Sequence, residues 1–464
     1  MSAFSPDHFP AELFNGRRFA VVGLGRNGLP AARALTAMGA EIVVWDDKEE
    51  ANAAAAREGL TVARPEDAPF TPDAILLSPG IPHLLPAPHP IAAWARARGV
   101  AILSDADVLY QAVRACGSRA RFAGITGTNG KSTTTALLAH ILAEAGVPVA
   151  AGGNLGNAAL ALPRLPDSGV YVLEMSSYML ERIASLRFDT AAMLNLSADH
   201  LDRHGDMGGY ASAKRAIFDR QRVGDVAVVG VDDPMSRDMA DELRSGPARV
   251  ITVSGHQPAD VWCDGGLLRD TACRFLEMSD APALPGAHNA QNAAAAAAMA
   301  LALGVDRATI RRAIAGFGGL PHRQQRIAEI GGITFVNDSK ATNADATARA
   351  LACYDRIVWI AGGIAKEGGI DSLAPFFPRI ARALLIGRDA PAFAATLAAN
   401  GVAHEIVRTL DAALPAAFAA SRASGAPVVL LSPAAASFDQ FTGFEARGER
   451  FAELVRGLAH GRAA

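Results

Sequence analysis

The chain has little cysteine, few aromatic residues and almost no excess of charge, and each scarcity excludes a class of protein. Basic and acidic residues number 44 and 47, which excludes a strongly basic nucleic-acid-binding protein. The four cysteines lie far apart and form no CxxC pair, so neither a zinc ribbon nor a disulfide framework is predicted. Aromatic residues make up only 6% of the chain.

Long hydrophobic runs are also missing. The most apolar stretch, 290–305, is mostly alanine and is interrupted by Gln291 and Asn292, so it falls short of the roughly 20 apolar residues of a membrane span. The N-terminus has no basic segment followed by an apolar run, as a signal peptide would. We therefore expect a cytoplasmic protein that binds neither nucleic acid nor membrane.

Lysine is the scarcest charged residue. The lysines are Lys48, Lys131, Lys214, Lys340 and Lys366, and every other basic residue is arginine. Arginine replaces lysine easily on a solvated surface, but not where a compact ammonium or a reactive amine is required. Lys48 stands in a run of acidic residues and fits a surface position, whereas the other four are candidates for chemistry.

The length of 464 residues and the 50% hydrophobic content predict about three domains. Strand-like apolar runs alternate with alanine-rich helical stretches throughout, which favours an α/β fold. We place the domains at 1–110, 111–319 and 320–464.

The first domain begins with a strand, a glycine-rich turn and a helix. The turn, Gly23–Gly28, has the GxGxxG spacing that lets a backbone approach a diphosphate at a helix N-terminus, and Asp46 ends the next strand. The pattern alone leaves NAD and other nucleotide diphosphates as alternatives.

The second domain contains a loop that resembles a P-loop. Strict GxxxxGK[ST] spacing would need glycine at position 125, where Ile125 stands. Small residues still free backbone N–H groups for phosphate oxygens, while Lys131 can reach the β- and γ-phosphates and Ser132 can bind Mg²⁺. The predicted phosphate loop consists of Gly127, Thr128, Asn129, Gly130, Lys131, Ser132 and Thr133.

The third domain carries polar motifs where its strands are predicted to end. These are 337–340, 362–363 and 432–433. Ligands of doubly wound sheets bind outside the carboxyl ends of the strands, so this edge is a predicted binding site.

Seven motifs together resemble the Mur ligases, ATP-dependent enzymes that build the peptidoglycan stem peptide. Two of them are similar to the branch that joins D-glutamate to UDP-N-acetylmuramoyl-L-alanine, namely 337–343 and 432–441. The other five occur in the family's order at 127–133, 174–177, 195–202, 286–289 and 321–323. The resemblance implies the three-domain Mur ligase architecture: a Rossmann-like N-terminal domain, a P-loop ATPase-like central domain and a Rossmann-like C-terminal domain.

The resemblance also implies a reaction. ATP would phosphorylate the substrate carboxylate, and the glutamate amine would then displace phosphate from the acyl phosphate. Mg²⁺ at two sites and a monomeric enzyme are expected. The implied catalytic residues are Lys131, Glu174, His200 and Lys214, with Ser132, Glu174, His200 and a CO₂-carbamylated Lys214 on the metal side.

The remaining site residues are likewise implied by the family. ATP would contact Asn289 and Asn292, with Arg323 and Asp338 coming from the third domain. The UDP-linked substrate would contact Arg26, Asn27, Asp46, Ser78, Asn154 and Ser176. D-Glutamate would contact Lys340, Thr342, Lys366, Ser437 and Phe444.

One departure from the family and several alternatives stay open. The family usually has glutamine where Met179 stands, so a polar substrate contact is missing or replaced. The alternatives are a sibling ligase or a variant that adds another amino acid such as L-glutamate, a folylpolyglutamate synthase, an NAD-dependent dehydrogenase, and a non-catalytic NTP-binding regulator.

Overall fold

The computed structural model describes residues 8–154, 156–366, 368–459 and Gly461. The chain forms two compact units: one runs up to Asp280 and includes Ala287–Gly316, and the other holds Ala281–Gly286 and the chain from Phe317 onward. The first unit contains two sheets, so the border near residue 110 lies inside it and stays a prediction. Within the described ranges, no helix is long and apolar enough to cross a membrane.

The first sheet is parallel and follows the predicted strand–turn–helix pattern. Its four strands have the order β2-β1-β3-β4. The elements are β1 (Arg18–Val22), α1 (Gly28–Ala37), β2 (Glu41–Trp45), α2 (Glu49–Arg57), β3 (Ala74–Leu77), α3 (Pro90–Ala97), β4 (Ala101–Leu103) and α4 (Asp105–Ala115).

The second sheet has nine strands in the order β13-β12-β11-β10-β9-β8-β5-β7-β6, and only the pairings of β11 with β12 and of β12 with β13 are antiparallel. Its strands are β5 (Arg121–Thr126), β6 (Val149–Gly153), β7 (Val170–Glu174), β8 (Thr190–Met193), β9 (Val226–Gly230), β10 (Arg249–Ser254), β11 (Val261–Asp264), β12 (Leu267–Asp270) and β13 (Arg274–Glu277). Its helices are α5 (Lys131–Glu144), α6 (Ser177–Leu180), α7 (Leu201–His204), α8 (Met207–Arg215), α9 (Pro234–Leu243), α10 (Ala287–Ala302) and α11 (Arg307–Gly316).

The second unit contains a six-stranded sheet in the order β14-β15-β20-β16-β18-β19, with β14 antiparallel at one edge, and a separate antiparallel pair, β17 with β21. Its strands are β14 (Gln325–Ile330), β15 (Ile333–Asn337), β16 (Ile357–Gly362), β17 (Ile364–Ala365), β18 (Ile380–Ile386), β19 (His404–Arg408), β20 (Val428–Leu431) and β21 (Ala435–Ala436). Its helices are α12 (Ala344–Leu351), α13 (Ala390–Ala399), α14 (Leu410–Ser424) and α15 (Phe444–Ala459).

Helices cover both faces of the parallel strands, which explains why those strands are continuously apolar. All residues of β7, β9 and β16 are buried. The polyalanine stretch of α10 is buried against β9, β10 and β11, where small side chains allow close helix–sheet packing.

The strand order brings three loops of the central sheet together. In the sequence β8-β5-β7, Ile125 lies opposite Glu174 and Thr126 lies opposite Met193. The loops that follow these three strands therefore leave the same edge of the sheet, side by side.

Candidate active site

The predicted phosphate loop connects β5 to α5 and depends on glycine at two positions. Gly127 and Gly130 have φ angles of 146° and 84°, which side-chain-bearing residues rarely adopt. A Cβ at Gly130 would lie 2.1 Å from the amide oxygen of Asn292. Ser132 and Thr133 are buried in the first turn of α5. The loop thus has the tight strand-to-helix geometry that the sequence predicted.

Two lysines donate to one carbonyl oxygen of this loop. The ammonium of Lys131 lies 2.8 Å from the carbonyl oxygen of Gly127 and 2.9 Å from that of Thr128. The ammonium of Lys214, from α8, lies 2.9 Å from the same Gly127 oxygen. Burial, and then the charge of Lys131, lowers the pKa of Lys214 to about 7. The Lys131 ammonium and the partly protonated Lys214 amine give the loop positive charge, which suits it to anions.

Glu174 ends β7, beside the phosphate loop, and is 2% exposed. One carboxylate oxygen accepts a 2.7 Å hydrogen bond from the side-chain amide of Asn154, while the other is buried and has no hydrogen-bond partner among the residues that the structure describes. A buried carboxylate oxygen without a partner is costly unless a cation or donor binds there. The residue therefore fits the Mg²⁺-ligand role that the sequence suggested.

His200 follows β8 and is the residue before α7. Its φ of 53° is unusual for a residue with a side chain. Its imidazole is 47% exposed, lies 3.4 Å from the Asp199 carboxylate, and packs on the ring of Tyr178 with centroids 5.0 Å apart. Among the residues that the structure describes, no three His, Cys, Asp or Glu side chains form a metal-binding group. A metal here would need other oxygens, such as the Ser132 hydroxyl or a carbamate.

Two residues that were not predicted as site residues form hydrogen bonds with the phosphate loop. The Asn195 side chain accepts a 2.9 Å hydrogen bond from the backbone N–H of Asn129. The Tyr210 hydroxyl lies 3.3 Å from the Thr128 hydroxyl, and the Tyr210 ring faces the Lys214 ammonium at 4.6 Å. Tyr210 and Lys214 are four apart on α8, a spacing that could have indicated this contact.

Asn289 and Asn292 share one face of α10, as their spacing predicted. The Asn292 amide donates to the Asn289 side-chain oxygen at 3.0 Å, and its own oxygen accepts from the Thr134 hydroxyl at 3.3 Å. Asn292 is 2% exposed. These contacts hold Asn292 against α5, the helix that follows the phosphate loop. Contact of Asn292 with the adenine base stays a prediction.

The glycine-rich turn of the first sheet is anchored by Asp46. One oxygen of its carboxylate accepts the backbone N–H of Leu24 at 2.7 Å, and the other accepts that of Lys48 at 2.9 Å. Arg26 is exposed and donates to the carbonyl oxygen of Gly156 at 3.3 Å. Lys48 itself is exposed, as expected.

A cavity that is open to solvent lies beside this turn. Asn27 and Ser78, both predicted to bind substrate, line it, and the Asn27 amide nitrogen is buried without a hydrogen-bond partner. Met179 forms part of its wall, so the departure from the family pattern gives the cavity an apolar surface. Ser176 caps α6 by accepting the backbone N–H of Met179 at 3.3 Å.

Arg182 also lines this cavity, and no motif indicated it. It is 2% exposed and donates to the carbonyl oxygens of Leu77 and Ser78. Its partners are distant in sequence, which explains why no local pattern revealed it.

In the second unit, Asp338 follows β15 and lies in a polar network. The Ser432 hydroxyl donates to its carboxylate at 2.7 Å, and the backbone N–H of Gln324 donates at 3.1 Å. Burial raises the pKa of Asp338 to about 7, while Arg323 and these hydrogen bonds oppose that shift. Because β15, β20 and β16 are adjacent, the polar motifs after them meet at one edge of the sheet, as predicted.

The residues predicted to bind D-glutamate lie around that edge. The Lys340 ammonium faces the ring of Phe444, the first residue of α15, at 5.6 Å. The backbone N–H of Thr342 donates to the Lys340 carbonyl oxygen. Ser437 is buried after β21, and Lys366 is exposed after β17. The Lys340 and Phe444 side chains thus lie against each other, and contact of D-glutamate with any of these five residues stays a prediction.

Arg447 on α15 organises the same edge and was missed by the sequence. It is 1% exposed, donates to the hydroxyl and carbonyl oxygens of Ser339 at 2.9 Å, and donates to the Ala435 carbonyl oxygen at 3.1 Å. Arg447 thus connects the loops after β15 and β20. Its position in an amphipathic helix did not indicate this role.

Comparison with known proteins agrees with this geometry. The Mur ligase middle-domain family matches residues 125–300, and the Mur ligase glutamate ligase domain matches residues 322–435. A UDP-N-acetylmuramoylalanine–D-glutamate ligase of Paramagnetospirillum magneticum is 49% identical over 97% of this chain and 99% of its own. The chain belongs to the Mur ligase family. The corresponding proteins of Caulobacter vibrioides and Rhodospirillum rubrum are 46% and 47% identical, over 97% and 98% of this chain and 98% of their own lengths.

Solved Mur ligase structures share the fold. The UDP-N-acetylmuramate–alanine ligase MurC of Thermotoga maritima aligns with a TM-score of 0.58 at 18% identity, covering 95% of this chain and 99% of that one. MurF of Acinetobacter baumannii aligns with a TM-score of 0.57 at 21% identity, covering 76% and 82%. The predicted α/β Mur ligase fold is thus confirmed.

Proposed function

We propose that this Mur ligase joins D-glutamate to UDP-N-acetylmuramoyl-L-alanine in an ATP-dependent reaction of peptidoglycan precursor synthesis. Relatives 46–49% identical over nearly their whole length carry the name of this activity. The substrates are small charged molecules; we also propose that the enzyme is cytoplasmic and acts as a monomer.

The observation that carries the proposal is the convergence of Lys131 and Lys214 on the Gly127 carbonyl beside Glu174. Bringing a substrate carboxylate to the γ-phosphate joins two anions, so such a reaction needs positive charge at the point of contact, which Lys131 and a cation held by Glu174 and a carbamylated Lys214 would supply. Phosphoryl transfer depends on positioning and charge stabilisation, and this edge of the sheet supplies both.

The phosphate loop binds ATP in this proposal. Its backbone N–H groups and the Lys131 ammonium neutralise the phosphates, while Asn289 and Asn292 lie on the adenine side. Arg323 and Asp338 are proposed for the triphosphate and ribose. The γ-phosphoryl group moves to the carboxylate of the L-alanyl group, the D-glutamate amine attacks the acyl carbon, and inorganic phosphate leaves as the amide forms.

Mg²⁺ fits the residues present, because Glu174 has a buried oxygen without a partner and a hard cation prefers oxygen ligands. When bound, it would withdraw charge from the phosphate oxygens. We propose two Mg²⁺ sites held by Ser132, Glu174, His200 and a carbamylated Lys214. Carbamylation joins the neutral amine to CO₂ with loss of one proton. It would replace a cation beside Lys131 with an anionic oxygen ligand.

The cavity of the first unit is proposed for the UDP-linked substrate. Asn27 and Ser78 line it, Arg26 and Asp46 belong to the adjoining turn region, and Asn154 and Ser176 lie near Glu174 and α6. For D-glutamate, Lys340 and Lys366 supply positive charge, Thr342 and Ser437 supply hydroxyls, and Phe444 packs on the aliphatic carbons.

The test is phosphate release from ATP and Mg²⁺ with UDP-N-acetylmuramoyl-L-alanine and one amino acid at a time. We expect release with D-glutamate, together with a product whose mass equals both substrates minus water. Lys131→Ala serves as the inactive control. Phosphate release that ignores the amino acid would contradict the ligase function.

The alternative is a ligase with another amino acid preference, favoured by the departure at Met179. Release that depends on L-glutamate and not on D-glutamate would identify that variant.

A further inference from the structure

Arg182 joins the loop after α6 to the turn that follows β3. Its guanidinium donates to the carbonyl oxygens of Leu77 at 2.7 Å, Ser78 at 2.9 Å and Ile81 at 2.5 Å. Its Nε lies 3.4 Å from the imidazole Nδ1 of His83. One side chain thus holds the whole segment from 77 to 83.

The same residue also fixes the end of the neighbouring strand. The backbone N–H of Ser104, which follows β4, donates to the Arg182 carbonyl oxygen at 2.9 Å. Ser104 and Ser78 both line the cavity beside the glycine-rich turn, together with Asn27 and Arg182 itself. Arg182 therefore contacts two walls of the cavity and forms part of a third.

The chemistry of arginine suits this task. Burial lowers the pKa of Arg182 to about 10, so the group stays protonated at neutral pH. Its planar fork satisfies several carbonyl oxygens at fixed angles, which a compact lysine ammonium does not reproduce. Without it, partly buried carbonyl oxygens of the turn would lose their donors.

We propose that Arg182 is a positioning residue for the nucleotide-sugar substrate, because it holds the turn that carries Ser78 in the shape that lines the cavity. This inference rests on the proposed function only in naming that substrate. The residue acts through the turn, so its removal affects substrate binding more than the chemical step.

The test compares Arg182→Ala and Arg182→Lys with Arg220→Ala. Arg220 is a matched control because it donates to the carbonyl oxygens of Ile183 and Ala184, in the same loop, but neither contacts the turn nor lines the cavity. We expect both Arg182 variants to raise the KM for UDP-N-acetylmuramoyl-L-alanine about 10- to 100-fold. The KM for ATP and kcat should stay near those of the wild type, and the control should leave all three unchanged.

A second measurement separates this inference from the proposed function. Titration calorimetry of UDP-N-acetylmuramoyl-L-alanine reports binding without turnover, so it remains informative if D-glutamate is not the second substrate. Weaker binding by Arg182→Lys, together with partial recovery of Arg182→Ala by millimolar guanidinium, would support positioning. Wild-type affinity in Arg182→Lys, or an equal rise of KM for all substrates, would overturn it. If Arg182→Ala does not fold, the lysine variant alone decides.

Discussion

At the residue scale, the site consists of ionisable side chains that the fold buries or brings close together. Lys131 and Lys214 share one carbonyl oxygen, Glu174 has a buried oxygen without a donor, and Asp338 is a carboxylate buried deeply enough to keep its proton near neutrality. Each arrangement is unfavourable in the protein alone and becomes favourable when a ligand or a modification of opposite charge is added.

Lys214→Arg should fold normally but lose ligase activity by roughly 100- to 1000-fold, because a guanidinium stays protonated and does not form the proposed carbamate. The measurement is phosphate release, with Lys48→Arg as a surface control that retains activity. In parallel, ¹³C NMR with labelled bicarbonate should show a carbamate signal only when Lys214 is present. Full turnover by Lys214→Arg would rule the carbamate out.

Asp338→Asn should change the pH dependence of stability. The folded protein holds the Asp338 proton up to about pH 7, whereas an ordinary aspartate loses it near its usual value of 3.8. The folded state therefore binds more protons in this window, and its stability falls as pH rises from 4 to 7. The asparagine variant lacks this loss, which is on the order of a few kcal/mol.

Urea unfolding between pH 4.5 and 7.5 measures this effect. The free energy of unfolding of Asp338→Asn, minus that of the wild type, should increase as pH rises and become constant above pH 7. A gap that does not vary with pH would show that the carboxylate titrates normally.

At the scale of elements, the phosphate loop and α5 depend on glycine for two different reasons. Gly130, at the N-terminal end of α5, has a positive φ and no room for a Cβ. Gly146, just beyond the C-terminal end, has a φ of 72° and open space around it. A substitution at Gly146 therefore tests the cost of the positive φ alone, whereas one at Gly130 adds a steric clash.

Gly130→Ala should weaken ATP binding at least about tenfold, because the methyl group would displace Asn292 and the loop backbone. Gly146→Ala should cost about 1 kcal/mol of stability from the positive φ and leave ATP affinity unchanged. Titration of an ATP analogue and thermal unfolding of both variants check this. Equal ATP affinity in the two variants would show that the loop tolerates the methyl group.

At the scale of the whole molecule, the chain contains two compact units, each with its own hydrophobic core. The phosphate loop and the cavity lie in the first unit, and the polar edge around Asp338 lies in the second. Three of the four tryptophans, Trp45, Trp94 and Trp262, belong to the first unit, and Trp359 belongs to the second.

We expect two unfolding transitions, one for each unit, and the transition of the first unit, which holds the phosphate loop, should depend more strongly on nucleotide. A ligand bound to the first unit at 100 times its Kd should stabilise it by about 2.7 kcal/mol. A variant with phenylalanine at 45, 94 and 262 lets fluorescence follow Trp359 alone, and calorimetry follows both units. A single transition that shifts as a whole with an ATP analogue would show that the units unfold together.

The α/β class, the phosphate loop and the family could all be predicted from the sequence. These follow from local patterns: glycine at tight turns, apolar strands, and lysines retained in an arginine-rich chain. Edge strands such as β14 and β19 were not predicted, because their partly exposed residues lack a continuous apolar run.

Which side chains distant in sequence contact one another is known only from the tertiary structure. Sequence spacing does not reveal that Lys214 shares the Gly127 carbonyl with Lys131, that Arg182 holds the turn after β3, or that Arg447 joins two strand ends. These contacts are set by strand order and by the burial of long side chains, which depend on packing between segments about 80 or more residues apart.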